Sequence, residues 1–284
     1  MKIEVFIPAY NCRRVLPKTL ASLAAQTDSD FSVCVVDDCG AEPLDDICAM
    51  FPMLDLRIVR NPVNLGCGLS RQSAIDTSDA DYLIPLDSDD MLLPMAINVF
   101  RQNAQRRPDV DFFVGWCYNE VPDPHGGTGY VTLKDGYTLV SGKMYKAEFL
   151  RKYDIRNCEE FSRFADDTYV NMLCYELGTT EMIPFPLYLY THNPASVTNA
   201  NGGRDYWSNV VPKFLRCIEA STDIIVRHKP AAKIKHFDGT LPYIRGVVKQ
   251  RSEPEEIELY NRLMRKLVGM GCDTDIAQEV RSDG

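Results

Sequence analysis

Four short apolar runs, at residues 2–7, 31–36, 54–59 and 82–86, alternate with stretches of helical spacing at 13–26, 43–51 and 69–77. This alternation constrains the chain more than any other feature. It predicts βαβ units wound around a mostly parallel sheet. The first helix is read from Val15, Leu16, Leu20 and Leu23, and the second from Pro43 in its first turn. In such sheets ligands bind beyond the carboxyl ends of the strands. Those ends here read Pro8-Ala9-Tyr10-Asn11, Asp37-Asp38 and Asp87-Ser88-Asp89-Asp90.

The pattern is less regular further on. A helix is expected over 91–105 and a strand over 111–116. A loop follows at 122–129, which holds two prolines and three glycines. Helical spacing marks 142–153 and 167–177, and a strand at 188–191 closes the α/β part. The turn-rich stretch 199–203 suggests a boundary. The expected organisation is an α/β domain over 1–201 and a helical region over 202–284, with helices at 206–228, 241–250 and 255–270. No internal repeat or low-complexity segment interrupts it.

The chain's 284 residues are ample for a large core, and 45% apolar with 25% charged residues is an ordinary globular mixture. The net charge of −9 argues against nonspecific coating of nucleic acid. Charge is divided unevenly. Residues 202–284 hold 14 basic and 12 acidic side chains, whereas residues 1–201 hold 17 and 28. In the helical region Arg227, Lys229, Lys233, Lys235, Arg245, Lys249 and Arg251 are offset by Asp238 alone. They form either a face for a polyanion, such as a lipid phosphate, an anionic membrane surface or a nucleic acid, or a solvated surface answering Glu253, Glu255, Glu256 and Glu258.

No apolar run is long enough to span a bilayer. Glu4 and Pro8 break the N-terminal run too early for a secretory signal. The ten cysteines include no C-x-x-C pair, which removes zinc-ribbon and thioredoxin readings. Scattered singly, they read as reduced thiols used as small hydrophobes. A cytoplasmic location is expected.

Three carboxylates among the four residues 87–90 repel one another unless a hard cation neutralises them. Mg²⁺ or Mn²⁺ takes one or two carboxylates together with phosphate oxygens. Capping the following helix would need only one Asp. Asp37-Asp38 suits either a base N–H or ribose hydroxyl, or a solvated turn before Gly40. Asn64-Leu65-Gly66 with Arg71 gives a turn and a cation, which on its own reads as a surface arginine. His192 is read as a third metal ligand, a phosphate donor or a loop histidine. Trp116, Trp207, Tyr118, Tyr188 and Tyr190 suit sugar stacking or core packing.

Taken in order, Pro8 to Asn11, Asp37-Asp38, Asn64-x-Gly66 with Arg71, and Leu86-Asp87-Ser88-Asp89-Asp90 resemble the family 2 glycosyltransferases of GT-A fold. Gly142-Lys143-Met144-Tyr145 with Phe149-Leu150 is similar to the segment before their catalytic helix. Ala165-Asp166-Asp167 stands where members usually carry Gly-Glu-Asp. The resemblance covers residues 1–192, departs at Asp166, and leaves the C-terminal region unmatched.

The resemblance implies a GT-A sheet and an inverting, metal-dependent transfer of a sugar from a nucleotide-diphospho-sugar. Pro8, Ala9, Tyr10, Asn11 and Asp38 would hold the nucleobase, usually uracil, and Arg71 would lie near base and phosphates. Asp87 and Ser88 would contact the donor nucleotide. Asp89, with Asp87 and His192, would hold Mn²⁺ or Mg²⁺. Asp90 would support them, Asp166 would face the donor sugar, and Asp167 would be the general base. The chemistry agrees: a cation stabilises a departing diphosphate, and a carboxylate activates the acceptor hydroxyl. The acceptor is open among a saccharide, a lipid-linked carrier, a protein and a nucleic acid. Two rival readings are a noncatalytic nucleotide-sugar or glycan-binding module of the same fold and a nucleotidyltransferase. The absence of a glycine-rich phosphate loop weighs against the latter.

Overall fold

The computed structural model describes residues 1–123, 127–134, 141–163, 165–194, 196, 204–230, 240–251, 253–270 and 280. The chain divides into two compact units. One holds Met1–Cys174 with Gly178–Asn193, the other Tyr175–Leu177 with Pro194–Gly284. The stretch read as a boundary, 199–203, lies outside the described residues.

The first unit opens as the alternation dictates. Strands β1 (Ile3–Ala9), β2 (Ser32–Asp37), β3 (Asp55–Arg60) and β4 (Tyr82–Pro85) are linked by α1 (Leu16–Ala24), α2 (Asp45–Ala49) and α3 (Cys67–Thr77). They lie parallel in the order β3-β2-β1-β4. Strand order therefore reverses beside β1, and the polar strand ends gather at that switch point. Every residue of β1 is buried, so the strand is mostly apolar, and its one acid, Glu4, is paired with Arg57 at 2.8 Å. Leu16, Leu20 and Leu23 of α1 pack on Val5, Ile7, Val33 and Val35 in the core.

The remaining strands make the sheet mixed. They are β5 (Met91–Leu92), β6 (Phe112–Pro122), β7 (Thr128–Leu133), β8 (Lys143–Lys146) and β9 (Thr180–Tyr190). The sheet continues β4-β8-β6-β9-β5, with β7 antiparallel to β6. Helix α4 (Ala96–Arg106) starts later than residue 91, because Met91 and Leu92 pair with Leu189 and Tyr188. Strand β6 runs on to Pro122, so the segment read as a loop holds the ends of a β6–β7 hairpin.

The helical reading of 142–153 is overturned. Residues Lys143–Lys146 form β8, whose Tyr145 faces Leu83 on one side and Phe112 on the other. Only Ala147–Lys152 is helical, as α5. The sheet's need for a partner between β4 and β6 overrides local spacing. Helix α6 (Asp166–Leu177) follows a single 3₁₀ turn at Glu159–Phe161.

The second unit contains α7 (Arg204–His228), α8 (Thr240–Arg251) and α9 (Pro254–Gly269). Leu215, Ile218, Ile244, Val248, Tyr260, Leu263 and Met264 are buried. Lys233, Lys235 and Asp238 lie outside the described residues. Of the other cations in that run, Arg251 is held by Glu256 at 2.8 Å, and Lys229 donates to the Glu176 carbonyl at 2.8 Å. No helix among the described residues is long and apolar enough to cross a membrane. The nine described cysteines are free thiols, and six are buried.

Candidate active site

The end of β1 presents Tyr10, 53% exposed, and Asn11 in the left-handed region at φ 50°. Pro8 and Ala9 are buried within the strand. Asn11 Oδ1 accepts the Ala41 amide at 2.9 Å, and the Ala9 carbonyl accepts the Asp38 amide at 2.8 Å. The two strand ends are thus laced together. Asp37 pairs with Arg60 at 3.1 Å, so this acid closes the edge of the sheet.

Asp38 is buried, not part of a solvated turn. Its Oδ1 accepts from Asn61 Nδ2 and the Leu65 amide, each at 2.8 Å, and its Oδ2 accepts from the Gly66 amide at 2.9 Å. Three donors fill three of the roughly four acceptor positions of a carboxylate.

Arg71 is also buried rather than a surface residue, at 7% exposure. Its Nη2 donates to Asp87 Oδ1 at 2.6 Å, and its Nη1 donates to Asp166 Oδ2. This guanidinium, 95 residues from Asp166 in sequence, ties the end of β4 to the start of α6. Burial opposes its charge, but Asp166 and Asp87 outweigh that and hold it protonated. Burial also pushes the Asp166 carboxyl above its ordinary value, against the pull of Arg71.

The acidic cluster after β4 is not uniform. Asp90 is buried, and its carboxylate accepts the Tyr188 hydroxyl at 2.7 Å and the Thr191 amide at 2.8 Å. The Asp87 amide donates to the same Tyr188 oxygen at 3.2 Å. Tyr188 is fully buried, so it positions carboxylates and cannot stack on a sugar. Asp89 Oδ2 accepts from Asn193 Nδ2 at 2.7 Å. Burial raises the Asp89 carboxyl above its ordinary value. The Ser88 carbonyl accepts the Thr19 hydroxyl at 2.8 Å, which fixes the turn to α1.

The donor set can be tested against a cation. Arg71 engages one oxygen of Asp87 and Asn193 one oxygen of Asp89. The second oxygen of each has no side-chain partner among the described residues. Two hard carboxylates of this kind fit Mg²⁺ or Mn²⁺, which takes its other ligands from phosphate and water. The three-ligand set does not form. Asp87, Asp89 and His192 make no group, and among the described residues no three acidic, His or Cys side chains do. His192 is exposed, and its amide donates to Glu120 Oε2 at 3.0 Å.

At the start of α6, Asp167 is half-buried and accepts the Thr168 amide at 2.7 Å. Burial, then the neighbouring Asp166 charge, pushes its carboxyl up to about 7, with Arg71 pulling the other way. Asp166, Asp167, Arg71 and Asn157 line one small cavity. Ala165, just before them, is held left-handed at φ 64°. An alanine there costs ~1–2 kcal/mol that glycine would not. Ala165→Gly should therefore stabilise the protein by about 0.5–1 kcal/mol, after allowing for glycine's freer unfolded chain, as read from denaturant unfolding.

Sequence reasoning missed Asn61, Ser162, Thr191 and the task of Asn193, and it read Tyr188 for sugar stacking or core packing rather than for holding Asp90. The strand read at 188–191 is the end of β9, which runs from Thr180 to Tyr190. Asn61, Ser162, Thr191 and Asn193 are polar residues in turns, with no periodic signal. Trp116 is half-buried with Lys134 Nζ 5.2 Å from its ring centroid. The side chain of Trp207 lies outside the described residues.

A family model, glycosyl transferase family 2, matches residues 4–158. An uncharacterised glycosyltransferase of Haemophilus influenzae is 32% identical over 110 residues, 39% of this chain and 37% of that protein. Glycosyltransferase GlyG of Streptococcus pneumoniae is 22% identical over 272 residues, covering 85% of this chain and 89% of its own. Among solved structures, Staphylococcus aureus TarS residues 1–349 with UDP superposes with a TM-score of 0.64 at 19% identity. It covers 93% of this chain and 80% of that one. The same protein with UDP-GlcNAc gives a TM-score of 0.63 at 18% identity, covering 94% and 82%. The fold is thereby of the GT-A type.

Proposed function

The chain belongs to glycosyl transferase family 2, and we propose that this glycosyltransferase moves a sugar from a UDP-sugar to an acceptor hydroxyl with inversion, using a divalent cation. The observation that carries the reading is Arg71, which joins Asp87 at the donor end of the sheet to Asp166 beside Asp167. One guanidinium thus links a donor carboxylate to the residue next to Asp167, whose own carboxyl burial pushes up to about 7.

In this reading the Pro8–Asn11 turn and Asp38 take the nucleobase. The fourth acceptor position of Asp38 receives the uracil N–H, while exposed Tyr10 offers a face for stacking. Ser88 and Asp87 hold the ribose side, and Asp87 and Asp89 hold Mg²⁺ or Mn²⁺. When bound, that ion supplies Lewis-acid stabilisation of the leaving diphosphate. Asp166, fixed by Arg71, faces the donor sugar. Asp167 takes the acceptor proton as the hydroxyl oxygen bonds to the anomeric carbon. The bond from that carbon to phosphate breaks with its electron pair going to UDP. A single displacement of this kind inverts the centre. The Staphylococcus aureus relative TarS, 27% identical over 62% of this chain, is named a poly(ribitol-phosphate) β-N-acetylglucosaminyltransferase. A β product from the usual α-linked UDP-GlcNAc is an inversion, which makes UDP-GlcNAc the first donor to test.

Calorimetric titration tests the nucleotide. UDP should bind at least about tenfold tighter than ADP or GDP, a difference of ~1.4 kcal/mol. A preference for GDP would reject the Asp38 assignment and leave the family membership standing.

A further inference from the structure

Helix α3 has no side-chain cap of its own, and its cap position is Gly66 at φ 85°. Ser162 supplies the cap from 93 residues away. The Gly68 amide donates to the Ser162 carbonyl and the Leu69 amide to Ser162 Oγ, each at 2.8 Å. Ser162 Oγ in turn donates to the Leu65 carbonyl at 2.7 Å, and Arg163 Nη2 donates to the Asn64 carbonyl at 2.7 Å. Ser162 is 1% exposed.

No side chain separates the two segments. A Cβ on Gly66 would come within 2.8 Å of Arg163 Cγ and 2.9 Å of the Ser162 carbonyl oxygen. One on Gly68 would come within 2.8 Å of Asp166 Cβ and 2.9 Å of Ser162 Cα. The other side of the same turn is held by Asp38, through the Leu65 and Gly66 amides. Leu65 thus gives its N–H to the nucleobase residue and its C=O to Ser162. Ser162 lies four residues before Asp166, on the segment that carries the base.

We propose that Ser162 is a positioning residue that clamps the Asp166–Asp167 segment to the turn organised by Asp38, so that nucleotide held at Asp38 also fixes the base. The inference rests on the UDP-sugar reading above. Its physical basis is that a reacting group displaced by about 1 Å can lose on the order of 10²-fold in rate. Ser162 touches no reacting atom; it acts through the turn and the helix start. The same contacts take two of the first three α3 amides, those of Gly68 and Leu69.

Hydrogen exchange with and without UDP, followed by kinetics of Ser162→Ala, tests this. In the wild type, UDP should slow exchange at 38–41, at 65–69 and at 165–170. In Ser162→Ala the first protection should remain and the last should be lost. That variant's kcat should fall about 10–100-fold, with the KM for the UDP-sugar within about threefold. This split is one that general loosening of the core would not give. If UDP protects nothing in the wild type, the nucleotide reading itself fails. If UDP protects 38–41 and 65–69 but leaves 165–170 unchanged, the clamp is wrong while the nucleotide reading stands. Wild-type kcat in Ser162→Ala would overturn the clamp equally. Should that variant not fold, the wild-type exchange pattern decides alone.

Discussion

Asp167→Asn is expected to lower kcat on the order of 10²–10⁴-fold while leaving UDP affinity nearly unchanged. Asparagine keeps the shape and can still accept the Thr168 amide that Asp167 Oδ1 accepts. What it cannot do is take the acceptor proton. Because the wild-type carboxyl is pushed up to about 7, kcat should rise through that pH as the base deprotonates. The variant should lose that limb.

Stability should move the opposite way. The native carboxyl holds its proton more tightly than the unfolded one. Its favourable contribution is therefore complete below about pH 4, the range of an unfolded aspartate, and is lost as pH rises through about 7. At pH 8 the wild type carries a strained charge that Asp167→Asn lacks. The variant should be more stable there by on the order of 1–3 kcal/mol, and no more stable at pH 3. Thermal melts at the two pH values read this directly. Equal loss of UDP affinity and kcat would make Asp167 a binding residue rather than the base.

Much of the parallel half of this fold was legible because β1, β2 and β4 are buried on both faces, so that Val5, Ile7, Val33 and Val35 fall in short, largely apolar runs. The carboxylates at their ends were legible for the converse reason: acids that interrupt such runs need a task. Helix α3 was harder to read. It buries Ser70, Arg71 and Gln72, because one face binds site residues rather than core. A reading based on apolar spacing therefore places Arg71 at the surface. Strand β8 was misread since its Met144 and Tyr145, followed by Phe149 and Leu150, satisfy helical and strand spacing alike. Pairing with β4 and β6 decides between them. Asp90 and Asp89 differ in role only because Tyr188, Thr191 and Asn193 arrive from about a hundred residues away. No local pattern encodes that meeting.

Loss of the cation should have the other large effect. EDTA should abolish transfer and Mn²⁺ or Mg²⁺ should restore it. Asp89→Ala should bind Mn²⁺ in the presence of UDP at least about tenfold more weakly, a loss of ~1.4 kcal/mol or more. Asp90, whose oxygens are engaged by Tyr188 and Thr191, serves as support. Asp87 shares its charge with Arg71, which leaves Asp89 as the most available hard anion of the cluster. Its carboxyl is raised by burial, with Asp87 adding to the effect and Asn193 opposing it. A nearby dication would reverse that shift, since it favours the ionised form. Mn²⁺ affinity should consequently fall with decreasing pH in the wild type, as protons compete for Asp89. Asn193→Ala removes the bond to Asp89 Oδ2 without removing the carboxylate. It should weaken Mn²⁺ binding less than Asp89→Ala does, because the ligand remains and only its orientation is loosened. Paramagnetic detection of bound Mn²⁺ measures all three variants of the experiment without relying on turnover. Wild-type Mn²⁺ affinity and transfer rate in Asp89→Ala would remove this carboxylate from the cation site and leave Asp87 to be tested in its place.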